Sequence, residues 1–157
     1  MCLKSILKKY KLTQVKKIKA TDLNYLVQGI TGAKQWFFDE KYYYTDLKSM
    51  NDIIHSQDKT NRLKYISDIR DCDDFSMIFA AHLSEYFGIN SAGVVVGETK
   101  FKNWKHDSYH SWNAFIAEDK GELKLYYLEP QLDKYVEASA ETLLNNRYYI
   151  PEMIFWY

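Results

Sequence analysis

The residues best suited to chemistry are Asp71-Cys72-Asp73-Asp74-Phe75, which set an interior cysteine among three carboxylates. Asp71 is a favourable N-cap. Phe75, Ile78, Phe79, His82, Leu83 and Tyr86 then recur at the spacing of a helix with one buried face, and Gly88 supplies a stop. A cysteine in the first turn of a helix meets free backbone N–H groups and the positive end of the helix dipole, which favour thiolate. The flanking carboxylates oppose this, because nearby negative charge raises a thiol pKa. A nucleophilic Cys72 therefore requires an offsetting positive group: an imidazolium beside the sulfur, or a cation held by the acids.

An imidazole becomes a useful partner to a thiol when a third group fixes its tautomer and orientation. His110 and Glu129 fit these two roles. Asp119-Lys120-Gly121 reads as a hairpin turn, with Tyr109 to Ala117 entering it and Glu122 to Leu128 leaving it. A register centred near Lys120 makes His110 and Glu129 cross-strand neighbours. Among the other histidines, His82 falls on the buried face of the helix and reads as a core residue. His55 and His106 lie in polar surroundings, and His106 is the fallback base. The Cys72 backbone N–H is one donor for a developing oxyanion, with Gln28, Gln35, Trp36 and Trp112 open as the second.

The elements around these residues follow from periodicity. Residues 1 to 12 have helical apolar spacing, and residues 13 to 20 read as a connection or short strand. A helix runs through Leu23, Leu26 and Val27, capped by Asp22 and ended by Gly29 or Gly32. Another starts at Thr45-Asp46 and carries Leu47, Met50, Ile53 and Ile54. The aromatic run Gln35 to Tyr44 reads as core and cleft wall together. Ala92 to Val96 is a buried strand, Thr99 to Asp107 a loop, Ser139 to Asn145 a short helix, and Tyr148 to Tyr157 a last strand bordered by Pro151. The expected class is α+β, with a central helix carrying Cys72 packed on an antiparallel sheet.

Asp71-Cys72-Asp73-Asp74-Phe75-Ser76, followed by His110-Ser111-Trp112-Asn113 and Leu128-Glu129-Pro130-Gln131, resembles the transglutaminase-like, papain-like cysteine protease superfamily. Within it, the residues are most similar to the C-terminal cysteine-protease domain of a mushroom agglutinin and its bacterial and phage relatives. Bacterial calcium-dependent transglutaminase-like cysteine proteinases come next. The resemblance covers about residues 35 to 135. It implies a papain-like or transglutaminase-like core, Cys72 as nucleophile, His110 as base and then acid, and Glu129 as the orienting carboxylate. It also implies a calcium ion at Asp71 and Asp73, where hard oxygen ligands suit Ca²⁺; the alternative is that these acids only favour the helix N-terminus.

The expected activity is that of a cysteine peptidase or amidohydrolase working through an acyl-enzyme on a peptide or protein substrate. One alternative is transglutaminase-like transfer of the acyl group to an amine. Another is a peptide- or partner-binding module without catalysis on the same fold. Length and composition bound the rest: 157 residues, 14 Tyr and only 2 Pro indicate one domain over 1–157 with substantial sheet. Two cysteines, Cys2 and Cys72, exclude a disulfide framework and a cysteine-rich zinc site. Lys4, Lys8, Lys9, Lys11, Lys16, Lys17 and Lys19 make residues 1–20 a basic arm or helix, although the net charge is zero. Without arginine or aromatic interleaving this is no strong nucleic-acid signal. No apolar run of membrane-spanning length and no secretory signal is present, so the expected location is cytoplasmic.

Overall fold

The computed structural model describes residues 15–101 and 107–157. The expected helix over residues 1 to 12, Cys2, most of the basic arm and His106 lie outside the described residues. In chain order the elements are β1 (Lys16–Lys19), α1 (Ala20–Thr31), β2 (Lys34–Phe37), β3 (Lys41–Asp46) and α2 (Leu47–Asp52). Next come α3 (Cys72–His82), β4 (Ala92–Phe101), β5 (Asp107–Asp119) and β6 (Glu122–Glu129), then β7 (Lys134–Glu137), β8 (Thr142–Leu144) and β9 (Arg147–Trp156). Wide π turns prolong α2 over Ile53–Gln57 and α3 over Leu83–Phe87, and a 3₁₀ turn spans Thr60–Arg62.

Local chemistry explains the helix ends. The Asp46 carboxylate accepts the Ser49 N–H at 2.8 Å and caps α2. Gly32 and Gly88 close their helices in the left-handed region, at φ 68° and 66°. Asp22 lies in the first turn of α1, whose N-cap position is Lys19, so the expected cap is one turn face out of place. On α3 the buried face is Phe75, Phe79, Leu83 and Phe87, whereas Ile78 and Tyr86 are partly exposed. The π turn after His82 explains the exchange of Tyr86 for Phe87, because wider winding turns Phe87 inward where regular winding would bury Tyr86.

The sheet corrects the expected α+β core. It has nine strands and is mixed, ordered β1-β3-β5-β4-β9-β2, with β6 against β5, β7 against β6 and β8 against β9. The β2–β9 and β3–β5 joints are parallel, and the rest are antiparallel. These parallel joints pair residues far apart in the chain, which period-two patterning cannot reveal. Two further expectations fail in the same region. The strand expected to end at Val96 continues to Phe101, and the segment 139–145 forms a bend and β8 instead of a helix.

β5 is the spine of the molecule. Its alternating residues feed two cores, as the pleat requires. Trp112, Ala114 and Ile116 join α1 through Leu23 and Val27. Phe115 and Ala117 join α2 and α3 through Met50, Phe79 and Leu83. Lys120 and Gly121, both at positive φ, form the tight turn into β6. The β5–β6 ladder runs from Asp119↔Glu122 to Asn113↔Leu128 and stops there. At that margin α3 approaches β5, tied by Asn113 Nδ2, which donates to the Ser76 carbonyl at 2.9 Å and the Gly93 carbonyl at 3.2 Å. Opposite His110 on β4 stands Gly97, at an irregularity in the β4–β9 ladder. A Cβ there would come within 2.2 Å of the Ile150 carbonyl oxygen, so close backbone approach requires glycine.

Candidate functional site

Cys72 is the first residue of α3, with Asp71 before it in extended conformation. The Asp74 carboxylate accepts the Asp71 N–H at 3.2 Å, and the Ser76 hydroxyl donates to the Cys72 carbonyl at 2.8 Å. These bonds stiffen the first turn and present the half-buried thiol at the end of the helix. It is the free cysteine among the described residues.

The structure brings Cys72, His110 and Glu129 together. His110 Nε2 lies 2.8 Å from Glu129 Oε2. The Cys72 side chain also interacts with the ring. Both partners of the ion pair are sheltered, with side-chain exposures of 13% for His110 and 6% for Glu129. Burial alone pushes the imidazole pKa down. The hydrogen bonds to Cys72 and Glu129, and their negative charge, outweigh burial and raise it from 6.5 to about 9. The ring is therefore an imidazolium at neutral pH.

The hairpin register differs from expectation in a way that matters. The observed ladder puts Glu129 level with Trp112, and His110 one pleat further along the same face. His110 and Glu129 thus meet diagonally, a separation that long side chains span. Trp112 lies beneath the imidazole, with ring centroids 6.1 Å apart and planes 23° from parallel. The loop after Glu129 is pinned from the far side of the chain: Thr60 Oγ1 donates to the Pro130 carbonyl at 2.8 Å, and the Thr60 backbone N–H donates to Asp58 at 3.2 Å.

Sequence reasoning missed Tyr149. Its buried hydroxyl donates to Glu129 Oε2 at 3.0 Å. Nothing in residues 147 to 151 signals this, because the contact depends on how β9 docks. The proposed oxyanion donors fare unevenly. Gln35 is engaged with Asn24 and Trp156, and the Trp112 Nε1–H is buried with no acceptor among the described residues. The aromatic run at Trp36 sits elsewhere: Trp36 pairs with Phe155 across β2 and β9, six residues along β9 from Tyr149, or about 20 Å. It lines no cleft at Cys72. His55 is exposed and bonded to the Asn51 carbonyl, and His82 packs on Tyr86 and Phe87.

Asp71, Cys72 and Asp73 each offer a ligand atom within 4.8 Å of the others, the group among the described residues with metal-ligand spacing. Asp73 has its carboxyl pKa raised, first by a hydrogen bond with Asp71 and then by burial. Two carboxylates close enough to share a proton are a fit for a hard divalent cation. They supply only part of the 6 to 8 oxygens calcium takes, and the thiol is no calcium ligand.

No family model and no curated protein matches the chain. Solved structures do. One is described as a PSL1a–E64 complex: 18% identity, TM-score 0.65, covering 89% of this chain and 51% of that one. Another is Polyporus squamosus lectin bound to the human-type influenza-binding epitope Neu5Acα2-6Galβ1-4GlcNAc, at 15% identity and TM-score 0.63, covering 89% of this chain and 49% of that one. At these identities the likeness is one of fold, and the chain spans about half the length of the lectin chains.

These matches overturn the family expected from the sequence. The structures are those of a lectin, not of a peptidase or transglutaminase, so the papain-like and transglutaminase-like assignment, the hydrolase activity drawn from it and the peptide substrate are all withdrawn. The motifs that suggested them are short and local, and they describe one corner of a mixed sheet. Of the expected location, what stands is that no helix among the described residues is long and apolar enough to cross a membrane.

Because the folded imidazole keeps its proton to about pH 9 and an unfolded one loses it near 6.5, its contribution to stability is complete below pH 6.5. That contribution disappears as pH rises through 9. NMR titration of His110 is expected to give a midpoint near 9 in the parent and a lower one in Glu129→Gln. A parent midpoint at or below 6.5 contradicts the imidazolium.

Proposed function

We propose that the functional centre of this chain is the thiol–imidazole–carboxylate cluster Cys72, His110 and Glu129, and that it works by bonding Cys72 Sγ covalently to an electrophilic carbon of a bound ligand. The observation that carries this reading is the His110 ring held between the thiol and a buried carboxylate. The fold is shared with a protein solved as a complex with a bound compound, the PSL1a–E64 complex, which is in keeping with a ligand site on this scaffold. In the covalent step Sγ attacks as the thiolate paired with the His110 imidazolium. The S–C bond forms, the bond from that carbon to an oxygen leaving group breaks, and the departing oxygen takes a proton from the imidazolium. Glu129 keeps the ring turned toward the sulfur throughout.

Labelling by iodoacetamide at pH 6 in a Cys2→Ser background tests this. Cys72 is expected to react at least tenfold faster in the parent than in His110→Ala. Equal rates in the two proteins would remove the cluster from consideration as a reactive site.

A calcium ion at Asp71 and Asp73 belongs to the same proposal. Bound there, it would cancel the mutual repulsion of the two carboxylates beside the thiol. Calcium is expected to raise the melting temperature of the parent and to leave that of Asp73→Asn unchanged; no shift in the parent means no calcium site.

Glycan binding is the second reading, favoured by the epitope in the lectin structure and by a cavity of about 430 Å³ beside Trp36. Lys34 and Glu152 line it together with the half-exposed indole, which stacks on Phe155 at 5.2 Å. An aromatic face with a few polar groups suits a sugar. Titration with Neu5Acα2-6Galβ1-4GlcNAc is expected to shift the resonances of Trp36, Lys34 and Glu152, and the Lys34 and Glu152 shifts are expected to vanish in Trp36→Ala. Unshifted spectra at millimolar sugar would end this reading.

A further inference from the structure

We infer that Tyr149 is the positioning residue of the thiol site: its hydroxyl holds the Glu129 carboxylate in the orientation from which Glu129 holds His110. The inference rests on the thiol–imidazole reading above and assigns the part that makes it rigid. A carboxylate bonded by one donor can still rotate about its last torsion. Here two donors converge on the same oxygen, Tyr149 Oη at 3.0 Å and His110 Nε2 at 2.8 Å, and they come from different strands, β9 and β5. Two fixed directions leave Oε2 one place to sit.

Tyr149 is itself locked. Its backbone is paired on both sides, with Thr99 of β4 and Thr142 of β8. Its ring is 1% exposed and stands edge-on to Trp112, at 5.0 Å and 84°, and to His110, at 6.0 Å and 61°. The imidazole is therefore boxed by Trp112 and Tyr149, whose phenol also fixes the imidazole's carboxylate. Burial and the Glu129 charge push the phenol's proton loss well above its ordinary range, so it serves as a donor throughout. The neighbouring cations are occupied elsewhere: Arg147 lies over the Phe101 ring at 4.1 Å, and Lys134 reaches toward Asn145 at 3.4 Å. Glu129 Oε2 is thus the acceptor that the Tyr149 hydroxyl and His110 share.

The alternative is that Tyr149 only fills the core. The two roles separate in a double-mutant cycle read by the iodoacetamide rate of Cys72 at fixed pH 7, in the Cys2→Ser background. Tyr149→Phe removes one oxygen and is expected to slow labelling roughly tenfold, in keeping with a hydrogen bond to a charged group. In a Glu129→Ala background the same substitution should change nothing, because no carboxylate remains to be held. Labelling of Tyr149→Phe at the parent rate, or equal slowing in both backgrounds, overturns the inference. A parent that reacts slowly and independently of His110 overturns the thiol reading instead, and the inference with it. Should Tyr149→Phe not fold, 3-fluorotyrosine placed at 149 preserves the packing and strengthens the donor. The downfield His110 Nε2–H resonance is then expected to move upfield as charge is drawn from Oε2, and an unmoved resonance overturns the positioning role.

Discussion

A carboxylate with 6% side-chain exposure must be partnered, and in this protein the partners of Glu129 decide where much of the sheet can go. His110 reaches it from β5 and Tyr149 from β9, so side chains bind β9 to β5 and β6, with which it shares no ladder. β4 lies between β5 and β9 and must be narrow there, which explains Gly97 opposite His110 and the irregular pairing at Pro151. The charge is worth its desolvation because the ring opposite carries a proton. A neutral His110 would leave the carboxylate with two neutral donors, a weaker arrangement in a low-dielectric interior.

Local chemistry was legible in the sequence where one or two residues determine it. The start of α3 at Cys72, the Asp46 cap, the stops at Gly32 and Gly88 and the Lys120-Gly121 turn are all set by short-range sterics and hydrogen bonds. The meeting of His110 with Glu129 was legible for a related reason, since a tight turn dictates what lies across a hairpin, although the true register makes the contact diagonal. What the sequence hid is non-local. The parallel joints of β2 and β3, the length of β4 and the identity of β8 as a strand depend on partners many residues away. Tyr149 is invisible for the same cause: a tyrosine in an aromatic-rich strand looks like core until the strand has been placed. The family assignment failed at this level too, because motif order reports spacing along the chain and not the sheet into which the motifs fold.

The fold shared with Polyporus squamosus lectin separates two kinds of surface on one sheet. The thiol corner is enclosed, charged and built from α3, β5, β6 and β9. The Trp36 edge is open, aromatic and built from β2 and the far end of β9, with Phe38 stacked on Tyr157 at 5.3 Å. Since β9 contributes to both, the two surfaces are held at a fixed separation by a single extended strand. A stiff strand of this kind transmits position well and leaves little room for one surface to move relative to the other.

The placement of β9 also bears on the order of assembly. It enters the middle of the sheet, against β4 and β2, and its pairing with β2 joins Lys34–Phe37 to Met153–Trp156 across most of the described chain. Contacts of such high sequence separation form late, after loop closure has been overcome. Until β9 docks, Glu129 lacks Tyr149 and the sheet lacks a central member. A partly folded chain can already possess the hairpin, the cysteine helix and even their contact, yet hold its imidazole loosely. The carboxylate's full set of partners is thus complete only once the most distant strand is in place.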